Sequence, residues 1–137
     1  MTAIAPLYML DTNIISDLIR NPGGKAAQRV ASVGDKAVCT SIIVAGELRY
    51  GCAKKASPRL LQRVDDVLNA IPVLPFDVPA DVEYGGIRCE LELAGQSIGG
   101  NVLLIAAHAR ALQMTLVTAN TREFRRVSGL QVENWLE

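Results

Sequence analysis

Tyr8-Met9-Leu10-Asp11-Thr12-Asn13 is an apolar run that breaks off abruptly into polar side chains. A run this short, following Pro6, reads as a buried strand whose carboxyl end carries polar groups. Ile14 to Arg20 then reads as a short helix halted by Asn21-Pro22-Gly23-Gly24, and Lys25 to Val33 as another. Ala37-Val38-Cys39-Thr40 resembles a second strand, and Ser41 caps a helix running to about Lys55. Pro58 fits the first turn of the next helix, where Leu61, Val64, Leu68 and Ile71 keep a helical period. Val73-Leu74-Pro75-Phe76 is a third strand, placed near an edge by its proline. Helices at Val82 to Ala94 (Tyr84, Ile87, Leu91 and Ala94 on one stripe) and Asn101 to Leu112 flank a loop marked by Gly95, Gly99 and Gly100. Met114 to Thr118 is a fourth strand, and Gln131 to Trp135 reads as a fifth. Strands alternating with helices specify an α/β sandwich around a mainly parallel sheet of four to five strands. Such sheets carry their functional crevice at the carboxyl ends of the strands, where Asp11 and Asn120 both lie.

The remaining bulk properties narrow the class. A chain of 137 residues without repeats or a long linker is one domain, and it can build a core without disulfides. No apolar stretch approaches the ~20 residues of a membrane span, so no membrane association is expected. Met1 to Pro6 lacks the charged and apolar regions of a signal peptide. Cys39, Cys52 and Cys89 are odd in number and without metal-ligand spacing, which fits thiols in a reducing cytoplasm. The 14 basic and 14 acidic residues balance, so bulk charge does not mark a nucleic-acid binder. Any such surface must be local: Arg122, Arg125 and Arg126 form one candidate cluster, Lys54 and Lys55 a second.

Several side chains could carry chemistry, and each also has a plain structural reading. Asp11 is either a helix cap or a carboxylate displayed at a strand end. Glu47, within Ile42-Ile43-Val44-Ala45-Gly46-Glu47-Leu48, lies on a narrow exposed stripe or is buried with a partner or metal. Asn120 is a turn residue, an N-cap or a ligand, and Thr118, Thr121 and Glu123 add oxygens nearby. His108, the only histidine, sits on an Ala-rich helix and reads as structural or surface rather than as a base. Acids and amides at strand ends, without a Cys/His cluster, are the donor set of a hard cation such as Mg²⁺ or Mn²⁺.

Four stretches in order carry a family resemblance. Met9-Leu10-Asp11-Thr12-Asn13, the run from Thr40 to Gly51, Leu103-Leu104-Ile105-Ala106-Ala107-His108-Ala109, and Leu116 to Phe124 resemble the successive motifs of PIN-domain toxins of the VapC type. Val132-Glu133-Asn134-Trp135 matches a frequent tail of that family. The resemblance implies a three-layer α/β/α sandwich and a Mg²⁺- or Mn²⁺-dependent endoribonuclease acting on structured RNA such as tRNA. It further implies a homodimer held inactive by a VapB-type antitoxin, which alone contacts operator DNA. By this resemblance Asp11, Glu47 and Asn120 are metal ligands and, with Glu123, the catalytic set. Asn13, Ser41 and Thr118 support them; the charge cluster of Arg122, Arg125 and Arg126, not the resemblance, is the candidate RNA-binding surface.

One position departs from the family. An aspartate is expected before Leu103-Leu104, and Val102 stands there. Valine offers no oxygen and is expected to pack with Ile105 and Ala106. Losing a carboxylate weakens the cation site and should impair cleavage. The valine is either an introduced inactivating change or the mark of a chain turned to a non-catalytic, antitoxin-binding role in complex assembly and operator control. A receiver-like signalling domain also places acids at strand ends. It requires paired acids after the first strand and a phosphorylatable aspartate after the third, whereas Asp11 stands alone and Val78-Pro79 follow Asp77.

Overall fold

The computed structural model describes residues 6–137, so most of the amino-terminal stretch read above for a signal peptide lies outside the described residues. β1 (Tyr8–Leu10) is the middle of a five-stranded sheet of order β3-β2-β1-β4-β5. Its neighbours are β2 (Val38–Ser41) and β4 (Thr115–Val117), with β3 (Val73–Leu74) and β5 (Val132–Glu133) at the edges. All four pairings are parallel, and Met9 stands opposite both Cys39 and Leu116. A parallel sheet is covered on both faces, which explains why its central strands read as unbroken apolar runs. Met9, Leu10, Val38, Cys39, Leu116 and Val117 are fully buried. Thr40 is buried among them because its hydroxyl donates to the Leu10 carbonyl at 2.6 Å.

The connections place the helices. α1 (Thr12–Arg20), α2 (Lys25–Val33), α3 (Ile42–Lys55) and α4 (Pro58–Ala70) follow β1 and β2. α5 (Ala80–Leu93) and α6 (Gly100–Ala111) lead from β3 back across to β4, and the short α7 (Thr121–Phe124) leads on to β5. α1 packs on α2, α3 and α4, while α5 packs on α6. Right-handed crossovers that run outward from β1 to β3 and then back across the sheet to β4 put these two groups on opposite faces, giving three layers.

Most expected elements occur within a residue or two of their anticipated bounds, and the differences have local causes. α1 starts at Thr12 because Asp11 caps it. β3 ends at Leu74, ahead of Pro75, which has no N–H for the ladder. On α4 the inward line runs through Leu60, Val64 and Leu68, and Leu61 is exposed. Gly100 belongs to the first turn of α6 rather than to the preceding loop.

The tail adds β5 to the sheet beside β4 and buries its aromatic ring. Trp135 is buried, its ring 5.0 Å from that of Tyr8, with the Arg29 guanidinium 5.2 Å from its centroid. Its indole N–H donates to Glu133 at 2.9 Å, and Glu133 also pairs with Arg29 at 3.2 Å.

Candidate active site

β1 ends at Leu10, and Asp11 turns its carboxylate back to accept the Thr12 N–H at 2.8 Å. Asp11 is therefore the N-cap of α1 and also a 5% exposed carboxylate at the carboxyl end of the central strand. The cap and site readings of Asp11 describe one geometry. Next door, at the end of β4, the buried Thr118 donates its hydroxyl to Asp11 Oδ2 at 2.8 Å and accepts the Asn120 N–H at 2.9 Å. Asn13 shares its amide between Asp11 Oδ2 and Thr118 Oγ1, each at 3.3 Å, and its oxygen accepts the Ala119 N–H at 2.8 Å. The Asp-Thr-Asn turn and the Thr118 turn are thus stitched together across two adjacent strand ends.

Glu47 reaches the same place from the second turn of α3. Its Oε1 accepts the Thr12 hydroxyl, and its Oε2 accepts the Asn101 amide at 3.1 Å. Burial pushes the Asp11 carboxyl above its ordinary value, and the charge of Glu47 pushes the same way. The hydrogen bonds from Thr118, Thr12 and Asn13 only offset this. Nothing in the sequence alone marks Thr12 or Asn101 as site residues. Each is a plain hydrogen-bonding residue beside a motif position, and only the fold brings it onto Glu47.

Two neighbouring carboxylates surrounded by neutral donors, with no basic side chain paired to either among the described residues, call for a cation. The donors are oxygens, so a hard divalent ion such as Mg²⁺ or Mn²⁺ fits them in kind. In number they are sparse. Among the described residues no three acidic, histidine or cysteine side chains gather around one point.

The other singled-out residues are placed as follows. Asn120 stands at the N-cap position of α7, half-buried, and its side chain makes no cap bond. Glu123 is turned to the α5–α6 loop, accepting the Gly99 N–H at 3.0 Å. Val102, in the first turn of α6, is partly buried against the core, and both it and Glu123 lie close to Gly99. Ser41 lies beneath the first turn of α3, accepting the Ile43 N–H at 3.0 Å and meeting His108 Nδ1 at 2.7 Å, without touching either acid. His108 itself is buried, and its Nε2 lacks a hydrogen-bond partner. Burial lowers its pKa, and the Pro75 backbone compensates only in part. Arg122 and Arg125 are exposed, whereas Arg126 donates to the Ser97 carbonyl at 3.0 Å. Cys39 and Cys52 are buried and Cys89 is exposed; burial pushes the Cys39 thiol up to about 12.

Comparison with known proteins places this geometry in context. The sequence pattern described as PIN domain matches residues 8–130. The tRNA(fMet)-specific endonuclease VapC of Shigella flexneri is 38% identical over 129 residues, covering 93% of this chain and 97% of that protein. Among solved structures, DNA-bound VapBC from Salmonella typhimurium superposes with a TM-score of 0.89 at 34% identity, covering 96% of this chain and 99% of that one. VapBC2 from Rickettsia felis, bound to a DNA fragment from their promoter, gives 0.85 at 37% identity, covering 93% and 98%.

Proposed function

Because the chain belongs to the PIN-domain family, among its VapC ribonucleases, we propose that it is the toxin of a toxin–antitoxin pair, an endoribonuclease acting on structured RNA such as tRNA. The observation that carries this reading is the buried Asp11 set against Glu47 at the carboxyl ends of parallel strands. Asp11 and Glu47 hold a Mg²⁺ or Mn²⁺ ion, with the Asn120 oxygen as a third donor. When bound, the ion supplies charge neutralisation for the phosphodiester and activation of water.

The chain's own residues prepare that place. Thr118 and Asn13 fix the orientation of Asp11, while Thr12 and Asn101 fix that of Glu47. Glu123 ties the loop before α6 to α7 and so holds the rim on which Val102 stands. Val102 stands where the family has an aspartate and offers no oxygen, so the site is one carboxylate short and cleavage is weak. A VapB-type antitoxin covers the site and alone contacts operator DNA, and the toxin forms a homodimer in the cytoplasm.

Val102 also favours a second reading, in which the chain only docks an antitoxin and serves complex assembly. The two separate on tRNA cleavage in Mn²⁺ by this chain and by its Val102→Asp variant. Cleavage that rises at least ~tenfold in the variant, about 1.4 kcal/mol of transition-state stabilisation, supports the nuclease. No cleavage by either, with antitoxin binding intact, supports the docking role.

A further inference from the structure

A groove of about 220 Å³ opens beside the acid pair, between α1, α3 and α4. Thr12 and Glu47 line one part of it, and Arg20 and Lys55 line another. Arg20 is the last residue of α1 and Lys55 the last of α3. Each lies eight residues beyond an acid-site residue on its own helix, Thr12 and Glu47 respectively. At ~1.5 Å per residue, both cations therefore sit roughly 12 Å along the helices from the acids. Among the described residues neither forms an ion pair, and both are exposed.

Cations in a last helical turn complement the helix dipole. That role does not require two of them, from two helices, to border one groove. The chain as a whole carries no net charge, so a polyanion is drawn only by local features of this kind. Between the cations and the acids the wall is formed by Ile19, Leu48, Leu60 and Val64, which offer no competing negative charge. The topology supplies a direction. α3 follows β2 on one side of β1, and α7 with its arginines follows β4 on the other.

We propose that this groove binds a single-stranded segment of the RNA substrate, with Arg20 and Lys55 holding backbone phosphates on the side of the acids opposite α7. The inference rests on the ribonuclease reading above and extends it to a substrate track. The bases or riboses lie against the aliphatic wall, and the strand then passes Glu47 and Asp11 toward α7.

Gly51 permits a test that leaves the charges in place. It lines the groove, and a Cβ built on it meets nothing within 4 Å, so a larger side chain there would project into the groove. Binding of tRNA is measured in EDTA across a salt series for this chain, Arg20→Gln/Lys55→Gln, Gly51→Leu and Lys36→Gln, the last an exposed cation before β2. The double variant should bind about tenfold more weakly at ~0.1 M salt, with the salt slope reduced by about 1.4, or ~0.7 per lost contact. Gly51→Leu should weaken binding without that change in slope, and Lys36→Gln should match the parent. If the parent binds tRNA and both groove variants bind it equally well, the groove is not the RNA track, although the ribonuclease reading stands. That result would leave the groove to a protein partner. If the parent does not bind tRNA at all, the ribonuclease reading falls, and this inference with it.

Discussion

The two ends of β1 do opposite work. At the amino end the Tyr8 ring packs, tilted, against Trp135, an indole that Arg29 lies over and whose N–H donates to Glu133 of β5, which also pairs with the guanidinium. The indole N–H and the guanidinium are both paired and the large ring is buried, so this end supplies stability. At the carboxyl end Asp11 is buried beside a second acid, and its pKa is raised by the loss of solvent. That end costs stability in the absence of a cation, and it is where the chemistry is proposed. One short strand thus separates residues selected for packing from residues held in an unfavourable charge state.

The largest effect should come from the packing end. Trp135→Ala removes a buried indole and should destabilise the fold by ~3–5 kcal/mol, seen as a large drop in the denaturation midpoint. The Arg29–Glu133 pair is about half exposed and contributes little alone. A Trp135→Ala protein as stable as the parent would break the comparison.

A smaller effect belongs to the helix packed behind the carboxyl end. His108 resists protonation because it is buried, so its folded pKa lies below the ordinary 6.5. The unfolded chain takes up the proton first. The stability held above pH ~6.5 is therefore lost as pH falls through the folded pKa. The melting temperature should drop on acidification from pH 7 toward 5, and His108→Gln should flatten that dependence whatever its own starting stability. An unchanged slope would remove His108 from the account.

The smallest effect is expected at Asp11. Asp11→Asn keeps an oxygen for the Thr12 N–H while removing the desolvated charge, so without metal the variant should melt slightly higher than the parent. A clear loss of stability would show that its cap and Thr118 bonds outweigh the burial cost.

The sequence was informative where packing sets a period. The parallel sheet, the order of strands and helices, and the Ser41 and Pro58 helix starts could all be read from apolar spacing and caps. Leu61 could not be separated from Leu60 that way, because both fit a helical stripe and only the neighbouring α1 and α3 choose between them. In the site, Asp11, Glu47 and Thr118 converge as the motifs suggested. Thr12 and Asn101 could not be found, because their roles depend on α1, α3 and α6 meeting at one point. Glu123 stands at the expected place in the chain, yet its carboxylate is engaged by the Gly99 N–H, a loop contact that motif spacing does not encode.

The central claim is that Asp11 and Glu47 form a cation site weakened by Val102. Calorimetric titration of Mn²⁺ into this chain, Val102→Asp and Asp11→Asn tests it directly. The account predicts weak binding to this chain, binding at least ~tenfold tighter to Val102→Asp (about 1.4 kcal/mol), and none to Asp11→Asn. Equal Mn²⁺ affinity in all three proteins would contradict it, because the ion would then be held without Asp11 and without regard to residue 102.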